Sequence, residues 1–167
     1  MSFSAMHSRL AANGDGVPPI TAMVADDSYR CATAQVGEWA MNPQFILAIA
    51  IGGALGSVAR YLVGIGSGKL FGPNFPFGTL IINVTGSALI GVFIGLFAAK
   101  WDLPQVVRIF LTVGICGGYT TFSTFSLDAW YLIERGQSMA SIAYMGLSVV
   151  LSVAALVGAL HLIRALP

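Results

Sequence analysis

Four apolar stretches, at about 44–66, 77–99, 106–133 and 138–163, dominate this chain of 167 residues. An α-helix needs roughly 20 apolar residues to cross the hydrocarbon of a bilayer, and all four qualify. Inside hydrocarbon every backbone N–H and C=O needs a partner within the protein, so such stretches fold as helices. The connections are short, which makes the helices run up, down, up, down as one bundle. Hydrophobic residues make up 56% of the chain and charged residues 9%, with a mean hydropathy of +0.81, which excludes the soluble globular class. The expected fold is an all-α integral membrane protein with four transmembrane helices.

Residues 1–41 differ. They carry Gly, Pro, Asp and Ser with no apolar period and no signal-peptide core. They read either as a disordered extension or as sequence ahead of the real start at Met41, where Met41-Asn42-Pro43-Gln44-Phe45 leads directly into the first span. The membrane domain is then 42–167. The two cysteines, Cys31 and Cys116, have no companion His or Cys cluster, which argues against a disulfide or a thiolate metal site. Cys116, inside the third span, reads as a small packing residue.

Orientation follows the Lys/Arg bias of short loops. Beyond the extension, Lys100, Arg108 and Arg164 fall on the side of the amino terminus, and Arg60, Lys69 and Arg135 on the other. Three against three gives no bias. Such a chain can insert either way, and opposite copies can pair as an antiparallel dimer. Arg9 and Arg30 in the extension would tilt the balance. A net charge of +1 gives no argument for nucleic acid.

Polar residues inside the spans are where function is expected. In the third span, Gly117-Gly118-Tyr119-Thr120-Thr121-Phe122-Ser123-Thr124-Phe125-Ser126 combines a glycine pair with a run of hydroxyls. Gly117-Gly118 marks a break that would leave carbonyl oxygens without amide partners, a ready cation site in a discontinuous membrane helix; the bland alternative is a kink. Phe122 and Phe125 share a face, as lipid-facing or core rings or as the wall of a path. In the second span Thr79, Asn83 and Ser87 form a polar stripe at steps of four. Asn83 either bonds a neighbouring helix or faces a path. Tyr144, Ser148 and Ser152 repeat that spacing in the fourth span, although serines also bond their own helix. The first span carries Gly52, Gly56, Arg60, Gly64 and Gly68 on one stripe. Its glycines suit close helix packing, while Arg60 either snorkels to the interface or faces an aqueous vestibule.

Carboxylates after the extension are confined to Asp102, Asp128 and Glu134, the first in a loop and the others towards the end of the third span. The hydroxyl and phenyl lining therefore favours an uncharged path that would not repel an anion. No nucleophile–base pair or metal ligand set is visible, His161 lying near the chain end and His7 in the extension, so the chain does not read as an enzyme.

Gly52-Gly53-Ala54-Leu55-Gly56-Ser57-Val58-Ala59-Arg60-Tyr61, Gly78-Thr79-Leu80-Ile81-Ile82-Asn83-Val84-Thr85-Gly86 and the run from Gly114 to Ser126 resemble the CrcB/Fluc fluoride channels, over about 42–164. The third motif is the specific one. The resemblance implies an antiparallel, dual-topology homodimer with two fluoride pathways, giving passive efflux across the plasma membrane, the inner membrane of a bacterial cell. It implies a third helix broken near Gly117–Thr120 and a structural Na+ at the dimer centre, held by the carbonyls of Gly117 and Thr120. The fluoride path would use Asn83, Phe122 and Phe125, with hydroxyls from Ser123, Thr124, Tyr144, Ser148 and Ser152, and Arg60 in the vestibule. The partner is a second copy or a paralogue. One competing class, a small multidrug-type proton antiporter, needs a membrane-embedded glutamate in the first span, where this chain has none. A non-transporting scaffold would use the polar stripes for packing alone.

Overall fold

The computed structural model describes residues 42–99 and 103–165. Expectations for residues 1–41, with His7, Arg9, Arg30 and Cys31, and for Lys100 and Asp102 lie outside the described residues. The chain from Pro43 forms one compact unit. Helix α1 spans Pro43–Phe71 and α2 spans Phe77–Ala99. The third span is built from α3 (Gln105–Ile109), a π-helical segment (Phe110–Cys116), α4 (Gly117–Tyr119) and α5 (Phe122–Glu134), and α6 (Ser138–Ala165) completes the bundle. Four spans are thus long and apolar enough to cross a membrane, and there is no strand among the described residues. The protein is an all-helical, multi-pass membrane protein.

Helix α1 runs five residues beyond its expected end at 66, through Gly68 and Lys69. Glycine weakens a helix in water because solvent competes for its backbone; in hydrocarbon that competitor is missing. The helix stops where Gly72 takes φ +74° and its N–H reaches back to Gly68 O at 3.0 Å. Gly136, at φ +73°, closes α5 in the same region of backbone space. Its N–H bonds Ile133 O at 2.8 Å and that of Gln137 bonds Leu132 O at 2.9 Å, a Schellman motif that turns the chain into α6.

Two glycine seams hold the bundle. On α1, a methyl group at Gly52 would meet Phe110 O at 2.8 Å and Gly114 Cα at 2.9 Å, and one at Gly56 would collide with Ile115 O. On α2, Gly91 lies against Leu156 O, and a methyl at Gly95 would be 2.9 Å from Ile163 Cβ. Close backbone approach supplies the dispersion contacts that hold helices together where lipid offers no hydrophobic drive. Gly64 and Gly68 leave that pattern: nothing lies within 4 Å of a methyl built on either, and both border a cavity. The α1 stripe is therefore a packing seam over its first half only.

The fully buried side chains are Tyr144, Cys116 and Ser141. Cys116 is a packing residue, as its position suggested. Ser141 donates to Ala129 O at 2.8 Å and ties α6 to α5. By contrast, only 6% of the most apolar stretch of α6 is buried within the chain, which leaves most of that helix for lipid or another subunit.

Candidate functional site

The third span is interrupted at Thr120–Thr121. Thr120 has φ −76°, ψ 159° and Thr121 has φ −153°, ψ 122°, both extended, between helical neighbours. The glycine pair is not itself the break: Gly117 keeps φ −64°, ψ −39°. Its partner Gly118 is needed for contact, since a methyl there would come 2.5 Å from Gly53 O of α1. Ahead of the glycines, the N–H of Gly117 bonds both Gly114 O and Thr112 O, ending the wider π turn. Such turns are rare and are frequently found at functional sites.

Asn83 fills the gap. Its Oδ1 accepts from Thr121 N–H at 2.9 Å and its Nδ2 donates to Thr121 O at 3.0 Å, so one side-chain amide replaces the lost helical partners. The Thr121 side chain caps α5 by accepting from Thr124 N–H at 3.2 Å. Two consequences follow for the carbonyls. In a continuous helix Gly117 O would receive the N–H of Thr121, which is now on Asn83, and Thr120 O would receive that of Thr124, which is now on a hydroxyl. These are the two oxygens that the resemblance picks out for a cation.

Two open cavities meet at the break. The larger, about 760 Å³, lies among α1, α2 and α5 and is bordered by Arg60, Arg135, Asp128, Thr79 and Thr124. Arg60 and Arg135 thus share one end of the bundle, as their assignment to one side requires. The other, about 550 Å³, is bordered by Asn83, Ser87, Gly117, Thr120, Phe122, Phe125, Ser148 and Ser152. Thr121 borders both. The stripe on α2 is divided accordingly, with Thr79 on the first cavity, Ser87 on the second and Asn83 at the partition.

Aromatic rings run along this region. Phe122 and Phe125 have centroids 5.5 Å apart, Phe125 and Tyr144 5.3 Å, and Tyr144 meets Phe75 edge-on at 5.7 Å. Phe122 is 79% exposed on the single chain, whereas Phe125 is packed among the other rings. Across the second cavity, the Ser148 side chain is 4% exposed and its hydroxyl has no hydrogen-bond partner within the chain. Leaving a buried hydroxyl without a partner is costly.

Most of the expected residues gather here, but not all. Thr124 borders the first cavity, and its hydroxyl receives that of Thr121 at 3.1 Å. Ser123 is exposed, borders neither cavity, and lies 3.3 Å from Thr121 Oγ1. Tyr144 is wholly buried and borders neither cavity. Sequence reasoning missed Asp128 as part of the site. Its Oδ2 accepts from Thr79 Oγ1 at 2.6 Å and from Tyr144 Oη at 3.5 Å. The wall of the first cavity therefore carries a carboxylate, while the residues bordering the second, where the phenyl rings and serines lie, include none. The signal was present: Asp128 lies three residues after Phe125, on a helix, and so shares its face.

Residues 47–160 match the family model described as CrcB-like protein, Camphor Resistance (CrcB). The chain is 70% identical over 126 residues to "Fluoride-specific ion channel FluC 1" of Nitrobacter hamburgensis, covering 75% of this chain and 100% of that protein. It is 70% identical over 124 residues to "Fluoride-specific ion channel FluC" of Nitrobacter winogradskyi, covering 74% and 98%. The protein of that name from Rhodospirillum centenum is 50% identical over 121 residues, covering 72% and 96%. With its three motifs gathered around one interrupted span, and with relatives matched over nearly their whole length, this chain belongs to the CrcB family.

Proposed function

We propose that the protein is a fluoride-selective channel that lets fluoride leave the cell passively across the plasma membrane, lowering the cytoplasmic concentration. The observation that carries this reading is the second cavity, where Asn83, Ser148 and Ser152 border a helix break together with two phenyl rings. Relatives bearing the fluoride-channel name at 70% identity support it. Phenyl rings have positive edges, suited to an anion that has shed part of its water. The Asn83 amide spends one N–H on Thr121 and keeps another to donate. The hydroxyls of Ser148 and Ser152 are further donors, while Arg60 and Arg135 attract anions into the first cavity. No Lys or Arg stands among the residues bordering the second cavity, so no side-chain charge there holds an anion in place.

The working unit on this reading is an antiparallel dual-topology homodimer. It is supported by the balanced basic residues beyond the extension and by the exposure of Phe122 and of most of α6. The Gly117 and Thr120 carbonyls fit a structural Na+, because their helical partners are engaged elsewhere and Gly117 is exposed on the single chain. When bound, the ion would supply a fixed positive charge tying two copies in register. Helix α1 contains no Asp or Glu, which leaves the proton-antiporter reading without its essential group.

The test is fluoride efflux from liposomes carrying the pure protein, read with a fluoride electrode. Efflux well above that of empty vesicles, with chloride retained, is expected. Equal passage of chloride, or no efflux above background, rejects the channel.

A further inference from the structure

The break needs more than Asn83 to hold its shape, and the next turn of α2 supplies it. Thr85 Oγ1 donates to Ile81 O at 2.6 Å, so its contact with Tyr119 Oη at 3.0 Å has the tyrosine as donor. Tyr119 is the last helical residue before the extended pair Thr120–Thr121. Beside it, a methyl group built on Gly86 would collide with Thr120 Cγ2 and come 3.1 Å from Tyr119 Cδ1. Thr120 in turn hooks its hydroxyl onto Cys116 O at 3.0 Å. One side of the break is thus anchored by a tyrosine hydroxyl and seated in a glycine notch, and neither Thr85, Gly86 nor Tyr119 borders the second cavity.

We propose that Thr85, Gly86 and Tyr119 are positioning residues that fix the direction of the Thr120 carbonyl, and so tune sodium binding without touching fluoride. This rests on the cation reading above. The chemistry is simple: a carbonyl ligand binds a small hard cation well only if it cannot swing, and a peptide plane next to two extended residues swings unless its neighbours are tied.

The experiment uses the full chain in detergent micelles and reads the thermal midpoint against sodium concentration, with N-methylglucamine as the replacement cation, since binding to the folded state alone raises that midpoint. Fluoride flux is measured in parallel. Thr85→Val and Tyr119→Phe each remove the hydroxyl pair and are expected to raise the half-saturating sodium concentration about fivefold, the factor that one net hydrogen bond supplies. Thr85→Ser restores the wild-type value, and the double variant Thr85→Val/Tyr119→Phe matches the singles because both delete one interaction. At saturating sodium the flux of these variants returns to that of the wild type. A sodium-dependent wild type with both variants unshifted overturns the positioning role alone. A wild type whose midpoint and flux ignore sodium overturns the cation site and this inference with it. A drop in midpoint that is equal at every sodium concentration also overturns it, because that is what loss of packing would produce.

Discussion

Ser148 is a buried hydroxyl without a partner inside its own chain, and the cost of that arrangement predicts how its removal behaves. Leaving such a group unsatisfied costs about 1–3 kcal/mol, so Ser148→Ala is expected to leave stability unchanged or raise it. If the hydroxyl donates to the passing ion, losing a bond of about 1.5–3 kcal/mol slows fluoride flux by about ten- to a hundredfold. Thermal melting and liposome flux of one preparation check both. A scaffold whose polar stripes only pack helices would show the reverse, with stability lost and flux untouched. Most other hydroxyls near the break are committed: Thr112 and Thr120 bond the carbonyls four residues back, and Ser126 does the same to Phe122 O at 3.0 Å. That self-bonding habit is why a hydroxyl stripe in a sequence is weak evidence taken one residue at a time.

Among the elements, the seam between α1 and the third span governs stability. A methyl at Gly56 would meet Ile115 O and, at 2.8 Å, Tyr119 N, both backbone atoms that cannot turn aside. Gly56→Ala is therefore expected to destabilise the protein by about 1–3 kcal/mol, by overpacking. Gly64→Ala, on the same stripe but facing open space, should fall within about 0.5 kcal/mol of wild type. Chemical unfolding in micelles distinguishes the two, and equal effects would remove the seam. The four spans were legible in the sequence because length and apolarity alone force a helix in lipid. The interruption was legible to within a few residues, but its cause was misread. Glycine was taken as the breaker, while the actual determinants are long-range: Gly53 needs Gly118 close, and Asn83 captures Thr121 from another helix. No local pattern marks the π-helical turn. Asp128 was passed over because its partners, Thr79 and Tyr144, are 49 and 16 residues away in sequence.

At the scale of the whole molecule, insertion depends on few charges. In the chain from Met41, which lacks Arg9 and Arg30, Arg60, Lys69 and Arg135 stand against Lys100, Arg108 and Arg164, and two added lysines should decide the outcome. Asn74→Lys/Gln137→Lys, in the loops that follow α1 and α5, is expected to send every copy in with those loops cytoplasmic. A cysteine at Ser138, labelled from either face of the membrane, should react from both sides without the added lysines and from one side with them; Cys116 is buried and adds little background, and the chain from Met41 lacks Cys31. If the dimer is antiparallel, the one-way variant also loses fluoride protection in cells, and full protection by uniformly oriented chains would exclude that arrangement. Within each copy, Thr121 borders both cavities. On the channel reading, an anion then keeps its water as far as the partition where Thr121 and Asn83 meet, and only there must it trade water for protein. Throughput would be governed by that membrane-within-a-membrane and not by the lipid around it, so thicker or thinner bilayers should alter the rate little.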